Sequence, residues 1–192
     1  MRDGVRFLFE FLSSPRSTGA IWPSSARLAR TMVDWIDWSQ IQCVIEYGPG
    51  TGVFTKEIVG RLPSRAMYLG IEYNTRLANA LKGKFPDLWI VNESVADVRE
   101  VCSAAGVTQA DAIICGLPWA AFSAVEQDRY LDAMMTVLRT GGKFATFAYL
   151  QGFMLPSGQR FRRAMQMRFS GIARSDTVWA NVPPAFVYQC TL

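Results

Sequence analysis

The chain has 192 residues, is 50% hydrophobic and 19% charged, carries a net charge of +4 and contains no histidine. That length suits one α/β domain with a sizeable core, and the missing imidazole removes the commonest metal ligand and the commonest general base near neutral pH. Cys43, Cys102, Cys115 and Cys190 form no C-x-x-C pair, and three fall in predicted strands. Buried thiols in a reducing cytoplasm fit them better than disulfides or a metal site.

In chain order, residues 3–12 read as a helix that Ser13-Ser14-Pro15 stops. At about 100° per residue, Arg2, Asp3, Arg6, Glu10 and Ser13 share one arc, and Val5, Phe7, Leu8, Phe9, Phe11 and Leu12 fill the rest. That is the pattern of a helix lying in a membrane interface, or of one packed on the domain. Glu10 interrupts the apolar stretch a signal peptide needs, and no run of about 18 apolar residues could span a bilayer. Ser24 or Ser25 caps a second helix to about Asp37. The chain then alternates. Strands are predicted at 43–47, 66–72, 89–92, 111–116 and 143–149, and helices at 53–61, 74–84, 97–104, 124–138 and 157–169. Gly141-Gly142 turns the chain into the fifth strand, and two β-segments flank Val182-Pro183-Pro184. Alternating β and α implies a doubly wound α/β fold. The expected sheet is mostly parallel and seven-stranded, with helices on both faces, two extra helices in front and an antiparallel hairpin at one edge. One domain covers 1–192, with 1–38 as a helical cap that contacts membrane and 39–192 as the core.

The densest information lies in Val44-Ile45-Glu46-Tyr47-Gly48-Pro49-Gly50-Thr51-Gly52, an apolar strand running into a glycine turn and a helix start. Glycine allows positive φ and close approach of a ligand to the backbone, and helix N-terminal amides point at whatever lies over the turn. The dinucleotide fingerprint G-x-G-x-x-G fails, because its third glycine would fall on Val53. The spacing E-x-G-x-G-x-G, with Glu46 inside the strand, resembles motif I of the class I S-adenosylmethionine (SAM)-dependent methyltransferases. Glu72 ends the second strand, where a carboxylate can accept both hydroxyls of a ribose. The resemblance implies SAM as cofactor, S-adenosylhomocysteine as product and no metal. It assigns cofactor contacts to Glu46, Gly48, Gly50, Gly52, Glu72 and Tyr73. Ser94 and Val95, after the third strand, would hold the adenine; Ser94 stands where similar enzymes usually have aspartate.

After the fourth strand comes Cys115-Gly116-Leu117-Pro118-Trp119. Amine and nucleobase methyltransferases often carry Asn-Pro-Pro-Tyr or Asn-Leu-Pro-Tyr at this place, so Gly116 and Trp119 are departures. Gly116 and Leu117 are read as the backbone that receives the target nitrogen. Trp119 offers a π-face for a cation, or plugs the core. Taken with Thr18-Gly19-Ala20-Ile21-Trp22-Pro23-Ser24-Ser25 and Trp179-Ala180-Asn181-Val182-Pro183-Pro184-Ala185-Phe186-Val187-Tyr188, the chain is similar to the bacterial phospholipid N-methyltransferases, relatives of the rRNA adenine dimethyltransferases. That resemblance implies stepwise N-methylation of phosphatidylethanolamine toward phosphatidylcholine, with ornithine lipid as a near alternative. It also implies that Ile21, Ser24 and Ser25 close over the cofactor.

Tyr149, at the end of the fifth strand, is the remaining candidate near the amine, as an orienting acceptor or cation–π wall rather than a base, since tyrosine titrates near 10. Residues 150–192 hold Arg160, Arg162, Arg163, Arg168 and Arg174 against Asp176 alone. Such a cluster suits an anionic surface or is a solvated helix face. The partners expected are therefore a lipid substrate and an anionic membrane, contacted through residues 2–13 and Arg160, Arg162, Arg163 and Arg168, with the protein a monomer on the inner face of the cytoplasmic membrane. The rival readings are a nucleic-acid adenine methyltransferase and a non-enzymatic lipid- or nucleotide-binding module.

Overall fold

A computed structural model describes residues 24–192. The helix expected at 3–12, and Ile21, lie outside the described residues. Helix α1 (Ala26–Val33) starts where Ser25 Oγ accepts from the Leu28 amide at 3.1 Å. It ends short of Asp37, which caps a 3₁₀ turn over Trp38–Gln40 instead. There follow β1 (Cys43–Tyr47), α2 (Val53–Val59), β2 (Met67–Ile71), α3 (Thr75–Lys84), β3 (Trp89–Val91), α4 (Val98–Ala104), β4 (Ala110–Cys115), α5 (Ala124–Met135) and β5 (Leu138–Tyr149). The chain finishes through α6 (Leu150–Phe153), α7 (Pro156–Gln166), β6 (Gly171–Arg174) and β7 (Ala185–Thr191).

These strands make one seven-stranded sheet in the order β3-β2-β1-β4-β5-β7-β6. The first five are parallel; β7 pairs antiparallel with both β5 and β6, so the sheet is mixed. Alternate side chains feed two cores. Val44, Ala112, Ile114, Ala145 and Phe147 face α1, α2 and α3, while Ile45, Tyr47, Ile113, Cys115 and Phe144 face α4, α5 and α7. Each central strand is buried on both faces, which is why it reads as a continuous apolar run rather than an alternation. All four cysteines are buried free thiols, as expected.

Two boundaries differ from expectation. The helix before β5 stops at Met135, and β5 begins at Leu138, so Gly141-Gly142 lies inside the strand rather than ahead of it. Ala110 pairs with Leu138 and Ala112 with Lys143, so extra residues bulge out on β5. Glycine is required there: Gly141 has φ +74°, and a Cβ on Gly142 would sit 2.7 Å from the Arg139 carbonyl oxygen. The helix expected at 157–169 is α7, which starts at Pro156 and stops at Gln166, and the short α6 ahead of it was not expected.

Candidate active site

The parallel strands end together around the glycine turn. The Gly48 amide donates to the Ile71 carbonyl at 2.9 Å, which ties the turn to β2. Gly48, Gly50 and Gly52 all have positive φ, and each serves a different neighbour. A Cβ at Gly48 would meet Leu117 Cδ2 at 2.7 Å, and one at Gly52 would meet Phe85 and Leu81 at about 3 Å. At Gly50 the space is open among the described residues, with the Gly48 carbonyl oxygen at 3.9 Å as the one neighbour within 4 Å. Gly50 therefore leaves room above the turn, while the glycine at position 52 makes room for α3.

Glu46 is fully buried within β1. Its Oε2 accepts from Thr55 Oγ1 at 2.8 Å and from the Tyr68 hydroxyl at 2.5 Å; Oε1 is buried without a donor among the described residues. Gly70, opposite Glu46 in the β1–β2 register, leaves space for that hydroxyl. Loss of hydration raises the Glu46 pKa to about 7, against the lowering effect of the two hydroxyls. At the end of β2, Glu72 Oε2 accepts from the Gly50 amide and Oε1 from the Asn74 amide, both at 2.9 Å. Burial raises its pKa, opposed by those two amides. One lone pair on each oxygen is left, enough for a pair of hydroxyls.

The stretch after β3 is held by its own local bonds. Ser94 Oγ accepts from the Ala96 amide at 3.2 Å and caps the 3₁₀ turn Val95–Asp97, and Val95 is buried. Asn92, which the motif reading passed over, donates to the Glu72 and Tyr73 carbonyls at 2.8 Å each and accepts from Thr75 Oγ1. It holds the segment that carries Glu72 in place and leaves the Tyr73 side chain exposed. An asparagine closing a strand beside an acidic motif was the available signal.

The loop after β4 lies against the turn. The Gly116 amide donates to the Tyr47 carbonyl at 2.8 Å, and a Cβ there would sit 2.7 Å from the Gly48 carbonyl oxygen. Trp119 is not a wall at the amine. It is 3% exposed, stacks on Phe161 with centroids 4.4 Å apart, and donates its indole N–H to Thr146 Oγ1 at 3.0 Å. A tryptophan satisfied at nitrogen and stacked on carbon is a core plug. Gln127, also buried, donates to the Trp119 carbonyl at 2.7 Å and the Ser157 carbonyl at 3.2 Å, and so braces the loop against α5 and α7. Tyr149 packs edge-on to Phe147, and burial pushes its hydroxyl up to about 12, which removes it as a base.

The front and end motifs meet here. Asn181, 2% exposed, accepts from the Ser25 amide at 2.8 Å and donates to the Pro183 carbonyl at 2.8 Å, next to the cis Val182–Pro183 bond. The Leu150 amide donates to the Pro184 carbonyl at 3.0 Å. The start of α1, the end of β5 and the loop before β7 thus share one edge of the site. Of the arginines, Arg168 is not free for a partner: it pairs with Asp128 at 3.0 Å and Asp132 at 2.7 Å on α5.

These residues fit SAM. The open space above Gly50, the free lone pairs of Glu72 and the orphaned acceptor Glu46 Oε1 lie around the turn that a nucleoside with an amino-acid tail would use. Among the described residues no group of three or more metal-ligating side chains exists. The fold is that of the class I SAM-dependent methyltransferases. Magnesium protoporphyrin IX methyltransferase from Synechocystis PCC 6803, solved with bound SAM, superimposes with TM-score 0.70 at 10% identity, covering 100% of this chain and 97% of that one. The O-methyltransferase from Bacillus cereus in complex with S-adenosylhomocysteine gives TM-score 0.70 at 10% identity, covering 100% and 92%. In sequence, the chain is 29% identical to an ornithine lipid N-methyltransferase from Singulisphaera acidiphila over 193 aligned residues, 99% of this chain and 96% of the relative. No protein-family model matches.

Proposed function

We propose that the protein transfers methyl groups from SAM to the amine of a membrane lipid. The observation that carries this reading is the similarity to an ornithine lipid N-methyltransferase along 99% of the chain, which takes in the front motif, the turn, the loop after β4 and the end motif together. Ornithine lipid is the first substrate on that ground. Phosphatidylethanolamine and its mono- and dimethyl derivatives are the second, favoured by the motif resemblance at Thr18–Ser25, Gly116–Pro118 and Trp179–Tyr188.

Bound SAM supplies an electrophilic methyl group on a sulfonium. The chain's part is positioning, which in such a displacement does most of the work. Glu72 and the turn seat the nucleoside, and Gly116-Leu117, pressed against Gly48, brings backbone to the place of transfer. The attacking amine must be neutral; with a lysine-like pKa near 10.4, roughly one part in a thousand is free base at pH 7. The chain has no histidine, Tyr149 is held near 12, and Glu46 and Glu72 are buried and engaged. That leaves solvent and the lipid's own phosphate as acceptors of the amine's proton. It follows that kcat/KM climbs with pH toward the substrate's own pKa, which a profile from pH 6.5 to 10 measures.

The test is transfer of labelled methyl from SAM to ornithine lipid, to phosphatidylethanolamine and to RNA. Label on either lipid amine is the expected result, and label on RNA alone would overturn the reading. Peripheral contact with the inner face of the cytoplasmic membrane through residues 2–13 and exposed Arg160, Arg162 and Arg163 belongs to the same proposal. No described helix is long and apolar enough to cross a membrane.

A further inference from the structure

The segments that leave β5 and enter β7 carry large apolar side chains in the open: Met154 is 70% exposed, Leu155 50%, Trp179 72% and Val182 60%. They are neighbours. The bond from the Leu150 amide to the Pro184 carbonyl joins the two segments, and Phe153 packs edge-on to Phe186 at 5.7 Å. Two arginines converge on the same spot. The guanidinium carbons of Arg162 and Arg174 each lie 5.8 Å from the Phe153 ring centroid, and that of Arg174 lies 4.3 Å from Phe186. Among the described residues neither has a carboxylate within ion-pair distance, unlike Arg168.

We propose that this edge is the seat for an anionic lipid bilayer, with Trp179, Val182, Met154 and Leu155 entering the boundary between head groups and acyl chains and Arg162 and Arg174 binding lipid phosphates. The mouth of the active site then faces the membrane. The proposal rests on the lipid reading of the site for its purpose, though not for its geometry. Tryptophan favours that boundary because its ring is apolar and its N–H polar. Paired guanidiniums match phosphate oxygens in a way that single ammonium groups do not. A nucleic acid would leave the methionine, leucine and valine uncovered. A second copy would bring its own arginines against these, because residues 150–192 hold five arginines and one acidic residue. Ser25, which caps α1, is bonded to Asn181 on this same edge.

Two double variants of the full chain test it: M154S with W179S, and R162Q with R174Q. Each is sedimented with vesicles of phosphatidylcholine, alone or mixed with phosphatidylglycerol. Wild type should bind the mixed vesicles more tightly. The arginine variant should lose about thirty-fold in affinity for them, and most of its salt dependence, at about five-fold per charge. The apolar variant should lose binding to both vesicles while keeping S-adenosylhomocysteine affinity and methyl transfer to substrate in detergent micelles. Undiminished vesicle binding by both variants would overturn the proposal, as would a wild type that binds no vesicles and instead self-associates or binds RNA through this edge. If the variants lose vesicle binding and wild type methylates no lipid in detergent, the docking face stands and the lipid reaction falls.

Discussion

Glu46 shows how one carboxyl can link the site to pH. Folding raises its pKa from 4.5 to about 7, chiefly by stripping its water. A carboxyl raised in this direction binds its proton more tightly in the folded chain. Its contribution is fully present below pH 4.5 and is lost as pH rises through about 7, because a charge must then stay buried. Stability should therefore decline by up to about 3 kcal/mol across that window. Glu46→Gln, which keeps an acceptor for Tyr68 and Thr55, should remove the slope; denaturant midpoints at pH 5, 6, 7 and 8 compare the two chains. Trp119 belongs to stability too. Trp119→Ala should cost about 3–5 kcal/mol, as loss of a buried aromatic does. Differential scanning calorimetry would show the drop, and a stable variant slowed only in turnover would restore Trp119 to the amine. Glu72→Ala strips an acceptor from two backbone amides as well as from the cofactor, so calorimetry should find S-adenosylhomocysteine affinity reduced and the turn loosened.

At the scale of elements, α1 is held at its capping residue, Ser25, by a side chain 156 positions away. Asn181→Ala would leave the Ser25 amide and the Pro183 carbonyl without partners, at about 1–3 kcal/mol for a buried polar group so stranded. Hydrogen exchange should speed up at residues 25–28 and at Ala185, while β1 and β4 stay protected. Local chemistry made several elements legible. Ser25 and Asn74 cap helices where short polar side chains precede helical runs, and Gly48–Gly52 turns the chain as its spacing implies. Gly141-Gly142 misled because a glycine pair reads as punctuation, whereas a bulge inside a long strand needs the same residues. Pro156 opens α7, a position where proline suits a helix, whereas the single turn of α6 is too short to show a helical period.

For the molecule as a whole, the parallel half of the sheet was legible from alternation of strand and helix, and the site's carboxylates from their distance to the glycine turn. The bonds that brace the site were not. Asn92, Gln127, Thr146 and Asn181 act across the fold, and no local pattern marks a side chain whose partner is far along the chain. Trp119 was ambiguous for a related reason: an aromatic after a strand can face solvent or core, and the choice depends on Phe161, in a helix 42 positions later.

The strand order carries one more consequence. β7 is made last yet lies inside the sheet, between β5 and β6, pairing along its length with β5 from Lys143 to Tyr149. During synthesis on the ribosome, β5 must wait with an open edge and β6 with no partner until residues 185–191 emerge. A nascent chain halted before Ala185 should hold the cofactor turn and the parallel strands but expose Phe144 and Phe147, which are buried in the finished fold. Released at that length, it should aggregate, whereas a chain that carries β7 stays dispersed, a difference that centrifugation of translation products reads directly. The edge that Asn181 and Pro184 share with α1 is thus assembled only in molecules whose translation has reached β7, so the last strand made decides when that side of the turn closes.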